Sequence, residues 1–137
     1  MATLNANQTS AGVQPKVLRV GLVSVTATFS LAASLSTGDV IQMIKVPANG
    51  RVVDLRADYQ SDGQGSIVVG DGGDTDRYIT DTAVSSGLNT TLRLNNATVA
   101  PYTYSVDDTI DVVCSLSSTQ PSTGAIYVTA IIEYPGP

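Results

Sequence analysis

Ser66-Ile67-Val68-Val69-Gly70-Asp71-Gly72-Gly73-Asp74-Thr75-Asp76-Arg77-Tyr78-Ile79 is the stretch that decides how this chain folds. A β-branched run enters, a glycine-aspartate segment reverses direction, and Arg77-Tyr78-Ile79 leaves as a second short strand. Gly70, Gly72 and Gly73 are expected to supply the positive φ angles of a tight turn. The segment is also the densest charge cluster in a chain with only 14% charged residues. Any metal or catalytic reading therefore has to be tested here first.

Working backwards from that turn, Arg51 to Tyr59 alternates, with Val53, Leu55, Ala57 and Tyr59 expected inward and Asp54, Arg56 and Asp58 outward. Ala48-Asn49-Gly50 separates it from a strand over Val40 to Val46, and the Asn-Gly pair predicts a hairpin there. Val17 to Ser30 is a longer strand with Val23, Val25, Ala27 and Phe29 on its dry side and Ser24, Thr26 and Thr28 on its wet side. Residues 1–16 show neither a strand nor a helix period and read as a polar arm, disordered or draped over a neighbouring subunit. The remainder, 17–137, reads as one domain.

Working forwards, Thr80 to Thr90 is polar and loop-like, after which Leu92 and Leu94 point one way and Arg93 the other. Tyr102 and Tyr104 stand two apart, and the next strand alternates through Ile110, Val112 and Cys114. The last strand, Ala125 to Glu133, carries Ile126, Val128, Ala130 and Ile132 on one face. About eight short strands with no helical segment predict an all-β fold: an antiparallel β-sandwich of jelly-roll or related Greek-key topology.

Composition supports strands and removes whole classes of function. Glu133 is the sole glutamate, and Lys16 and Lys45 are the sole lysines, whereas helix surfaces draw on both residue types. A net charge of −5 with scattered arginines argues against nucleic-acid binding. No run of roughly 18 apolar residues offers a membrane span, and the polar Met1 to Gly12 segment does not read as a secretory signal, so a soluble protein is expected. There is no histidine, and Cys114 is the single cysteine. Cysteine-based zinc sites and most hydrolytic triads are thereby excluded, and Cys114 reads as a small buried hydrophobe.

The acidic residues still have to be weighed. Asp71, Asp74 and Asp76, with Asp81, offer oxygen ligands for Ca²⁺, but D-G-G-D-T-D lacks the alternating ligand spacing of a calcium loop, and Arg77 adds a positive charge beside it. No resident metal or cofactor is expected. Asp107 with Asp108, and Asp54 with Asp58, are nominal carboxylate pairs for glycosidase work. The first pair converges only through a turn, and the second flanks Arg56 as local charge balance. No Gly-Lys-Ser or Gly-Lys-Thr follows the glycines, so a phosphate loop is not indicated. The chain reads as a non-enzyme. Tyr102 and Tyr104, with Arg77 and Tyr78, are the candidate interface residues, because aromatic rings give large rigid contact area. The edge of the core is the other place for the two later tyrosines.

Three segments together carry a resemblance: Gly38-Asp39-Val40-Ile41-Gln42-Met43-Ile44-Lys45-Val46-Pro47, the turn from Val69 to Ile79, and Tyr102-Thr103-Tyr104 followed by Asp107-Asp108-Thr109-Ile110-Asp111-Val112. They resemble the small capsid decoration, or cement, proteins of tailed phages, over roughly Val17 to Tyr134. The resemblance implies a structural protein made in the host cytoplasm and placed on the virion exterior. Its implied partner is the phage major capsid protein, whose neighbouring copies it bridges, and it is itself implied to be a homo-oligomer, a dimer or trimer. It supplies no catalytic residue. The competing expectation is a carbohydrate- or receptor-binding β-sandwich of a phage fibre, which would call for exposed aromatics. The chain has no tryptophan and a single phenylalanine.

Overall fold

Ile126, Val128, Ala130 and Ile132 are all fully buried. The reason is their place in β10 (Gly124–Tyr134), which runs antiparallel between β2 (Gly21–Ser30) and β4 (Arg51–Ser61). β7 (Asn89–Arg93) completes that sheet in the order β2-β10-β4-β7, and the two-residue β8 (Tyr102–Thr103) pairs with β4. The facing sheet is centred on β9 (Asp108–Thr119) and ordered β1-β3-β9-β5-β6. Its other members are β1 (Thr3–Gln8), β3 (Val40–Val46), β5 (Gln64–Gly70) and β6 (Ile79–Val84). This computed structural model describes residues 2–8, 21–31, 35–61, 64–84, 89–95, 101–119 and 124–134.

Without β1 and β8, two four-stranded sheets remain, β2-β10-β4-β7 and β3-β9-β5-β6. Successive strands of this set change sheet at every step but β5 to β6, which is the order of a jelly roll. The expected all-β sandwich is the fold observed, with ten strands among the described residues where about eight were expected. Apolar side chains from both inner faces meet in one core that includes Met43, Leu55, Ile110 and Ile126.

Several local expectations are corrected. Ala48-Asn49-Gly50 does turn the chain, with Asn49 at φ 69° and Gly50 N–H donating to Pro47 O at 3.0 Å. It makes no hairpin, however, because β3 and β4 lie in different sheets. An Asn-Gly turn fixes a local reversal, while the sheet each flanking strand joins is decided by long-range pairing. On β4 the inward residue at the start is Val52 rather than Val53. The register with β10 slips between Ile131 and Ile132, so Val53 becomes the extra residue of a bulge and the alternation changes phase there. A similar slip at Met43 buries Met43 and Ile44 side by side. The segment read as a loop from Thr80 contains most of β6, an edge strand buried only at its ends, Ile79 and Val84.

The N-terminal segment read as an irregular arm also contributes a strand. β1 pairs with β3, in parallel, from Thr3 opposite Val40. Asp39 holds its start: Oδ1 accepts the Ala2 N–H at 3.0 Å and Oδ2 the Ser36 N–H at 2.9 Å. Those backbone bonds, from Ser36 first and then Ala2, hold the Asp39 carboxyl below its ordinary pKa. Ala6 reaches the core and Leu4 packs against it. The rest of the expected arm, 9–16, lies outside the described residues.

Candidate functional site

The opening stretch is a turn, as expected, and it joins the antiparallel pair β5 and β6. The glycines serve it differently from the expectation, since none of Gly70, Gly72 and Gly73 is among the positive-φ residues. Gly70 is needed for close approach: a Cβ there would lie 2.1 Å from the Asp74 carbonyl oxygen. That contact lets Asp71 N–H donate to Asp74 O at 2.9 Å and folds the turn back on itself.

Folding the turn back brings Asp71 inside, where it is 1% exposed. Its Oδ1 accepts the N–H groups of Gly73 at 3.0 Å and Asp74 at 2.9 Å, and Arg77 Nη2 at 3.2 Å. Oδ2 accepts Arg77 Nε and, at 3.0 Å, the Tyr104 hydroxyl. Because its O–H is directed at Asp71, Tyr104 accepts in turn from the Tyr78 hydroxyl at 2.6 Å. The Arg77 guanidinium also lies over the Tyr102 ring, 3.8 Å from its centre, and Tyr102 meets Tyr104 edge-on with ring centres 5.1 Å apart.

Electrostatics follow from this packing. Burial pushes the Tyr78 and Tyr104 phenols well above their ordinary range, so both stay protonated as donors. Burial alone would lower the Arg77 pKa, but the hydrogen bond and charge of Asp71 raise it above its usual value. On the rim, a hydrogen bond shared with Asp74 raises Asp76. Asp111, paired with Gly70 across β9 and β5, is pushed up to about 6, chiefly by burial; Thr109 Oγ1 donates to it at 2.6 Å.

The network closes one end of the sandwich. The Tyr104 backbone exchanges bonds with the β3–β4 turn, accepting from Asn49 at 2.7 Å and donating to Gly50 O at 2.9 Å. Ala48 N–H donates to Asp107 Oδ1 at 2.8 Å, and Asn95 N–H donates to Tyr78 O at 3.1 Å. The β3–β4 turn, the β5–β6 turn and the connection leading into β9 are thus tied by hydrogen bonds into one platform. Asp76, Asp107 and Val106 are exposed on it.

The structure brings Asp71, Arg77, Tyr78, Tyr102 and Tyr104 together. Asp71 is unsuited to calcium because both its oxygens are engaged by protein donors. Asp74 and Asp76 bond to each other on the rim, while Asp81 accepts from Ser115 on β9. Among the described residues no group of His, Cys, Asp or Glu is placed to hold a metal ion. Tyr78, expected at an interface, and Tyr104, expected at an interface or at the edge of the core, are 0% and 3% exposed; both are interior hydrogen-bonding residues, and Arg77 is largely enclosed with them. Tyr102 is half-buried over Arg77. Asp107 and Asp108 bond to different backbone groups, Ala48 and Thr109, and Asp58 pairs with Arg56. Cys114 is buried, and burial raises its thiol pKa.

Fold and platform together define a jelly roll with one closed, acidic end. No protein-family model and no curated protein sequence matches this chain. Two solved structures share its fold. A chain of the capsid of Ralstonia phage GP4 superposes with a TM-score of 0.74 at 13% identity, covering 96% of this chain and 97% of that one. A chain of the cyanophage Pam1 capsid asymmetric unit gives 0.68 at 15% identity, covering 92% and 96%.

Proposed function

We propose that this chain is a structural protein of a phage virion. On this reading it binds the outer surface of the capsid shell, bridges neighbouring major capsid proteins and self-associates as a dimer or trimer. The observation that carries the reading is the shared fold with chains of two phage capsids, each matched over at least 96% of its own length. The sequence resemblance to cement proteins supports the finer step, from capsid component to surface decoration.

The chemistry of the platform supports a contact role. The Asp71 network fixes its loops before any partner arrives, so little ordering cost remains for binding. Contacts repeated over a symmetric shell add up by multivalency, and a ligand that binds only the assembled shell stabilises it. This reading assigns the chain no catalytic step, cofactor, nucleic acid or membrane. The fibre alternative gains no support, because none of the seven aromatic residues is exposed: Tyr59, Tyr78, Tyr104 and Tyr134 are buried, and Phe29, Tyr102 and Tyr127 are half-buried. The test is to add purified protein to shells that lack it. Saturable cosedimentation and a higher shell-disruption temperature are expected; folded protein that never sediments with shells would refute the reading.

A further inference from the structure

The outward face of β2, β10, β4 and β7 balances its own charges, with Arg51, Arg56 and Arg93 against Asp54, Asp58 and Glu133. Two of these pairs close within one molecule, Arg51 to Glu133 at 3.5 Å and Arg56 to Asp58 at 2.9 Å. Asp54 and Arg93 are left over. Asp54 accepts the neighbouring Leu55 N–H at 2.8 Å, and among the described residues no carboxylate pairs with the exposed Arg93. Both line a depression of about 340 Å³ together with Ser24, Thr26, Leu55, Arg56, Thr129 and Ile131, and Arg56 is already paired with Asp58.

This face also carries exposed apolar surface. Ile131 is 36% exposed, and Leu22, diagonal to it across the β2–β10 register, is 65% exposed. In a chain with a net charge of −5, a neutral face with exposed apolar residues is where two copies approach with least like-charge repulsion. The two unpaired charges are opposite in sign and share one depression, so a two-fold axis satisfies both of them twice.

We propose that this face seats a second copy of the chain through a two-fold axis, with Arg93 of each copy meeting Asp54 of the other. The inference rests on the self-association in the reading above and names its surface. The Arg93 stem packs on the apolar side chain of Ile131 while its guanidinium reaches the carboxylate. Both charged side chains stand on the outer face, so substituting them leaves the core intact.

Sedimentation equilibrium of the full chain at micromolar concentration is the test, with circular dichroism confirming that each variant is folded. A dimer is expected for the wild type. Arg93→Asp and Asp54→Arg each place like charges opposite one another twice and should weaken dimerisation at least about tenfold. An equimolar mixture of the two variants should recover the dimer, because each variant then offers the charge that the other needs. An intramolecular role for either residue would not produce that recovery. A wild-type monomer overturns the proposal together with the self-association. A trimer, or a dimer indifferent to both substitutions, overturns the proposed face alone. A mixture that remains monomeric overturns the Arg93–Asp54 pairing. No shell is present in these measurements, so their failure leaves shell binding untouched.

Discussion

The sheet centred on β10 and the sheet centred on β9 are held by different physics. The first is ordered mainly by alternation: Ile126, Val128, Ala130 and Ile132 go in, and its charges lie on the outer face, exposed or half-buried, as pairs or unpaired groups. The second also encloses charge, with Asp71 and Asp111 buried and Arg77 nearly so. The charge distribution follows the same division. Lys45 and Arg77 are the only described cations on the β9 sheet and its connections, against Asp39, Asp71, Asp74, Asp76, Asp81, Asp107, Asp108 and Asp111. One side of the sandwich is therefore acidic and pinned at its end by specific bonds, and the other is neutral and held by apolar area. Substitutions on the pinned side should be costly one at a time, whereas surface substitutions on the neutral side should be cheap.

The largest expected effect is at Gly70. Alanine there would set its Cβ against backbone atoms of Asp74 and Thr75, 2.1 and 2.4 Å away, which cannot swing aside. Urea denaturation of Gly70→Ala should show a loss above about 4 kcal/mol, or no cooperative transition. Next is Asp71→Ala, which strands the guanidinium of Arg77 and leaves the Tyr104 hydroxyl without its acceptor; a loss of about 3–5 kcal/mol is expected. A loss below about 1 kcal/mol would mean that the network does not hold this end.

Asp111→Asn should act in the opposite direction. The Asp111 pKa is raised to about 6, so the folded state binds its proton more tightly than the unfolded chain does. That contribution favours folding in acid and is lost as pH rises from about 4 to about 6. The Asn variant should therefore be more stable than wild type at pH 7, by on the order of 2 kcal/mol, with the gain gone by pH 4. A gain equal at both pH values would remove titration as its cause. Asp39, whose pKa is lowered, has the reverse sign: its contribution is present at neutral pH and lost below the ordinary carboxylate range. The smallest effect belongs to the neutral face, where Arg56→Ala breaks an exposed pair and should cost no more than about 1 kcal/mol. A cost equal to that of Asp71→Ala would abolish the contrast between the sheets.

What could be read from the sequence divides along the same line. Alternation in β10, in β9 and along most of β4 reports directly which side chains go inside, and it predicted the sandwich. Pairing partners are long-range, so the Asn49-Gly50 turn looked like a hairpin until Val46 was found opposite Asp108 and Arg51 opposite Glu133. β1 left a trace, Leu4 and Ala6 two apart, too short and too small to stand out among polar neighbours. β6 had none beyond Ile79 and Val84, because an edge strand can be polar along most of its length.

The network was the least legible feature. A tyrosine suits an interface or a core equally well, and the choice depends on whether its hydroxyl finds a partner. The acceptor for Tyr104 is Asp71, 33 residues away in the chain, and the donor to Tyr104 is Tyr78, 26 away. The sequence points to positive φ angles for the glycines of the turn, whereas none has one and Gly70 is required by a close backbone approach.

Electron microscopy of phage capsid shells mixed with this protein is the most direct test of the proposed shell-binding role. Density for the β10 and β9 sheets is expected on the outside of the shell, repeated at symmetry-related positions that span neighbouring major capsid proteins. No density on the shell would contradict that role.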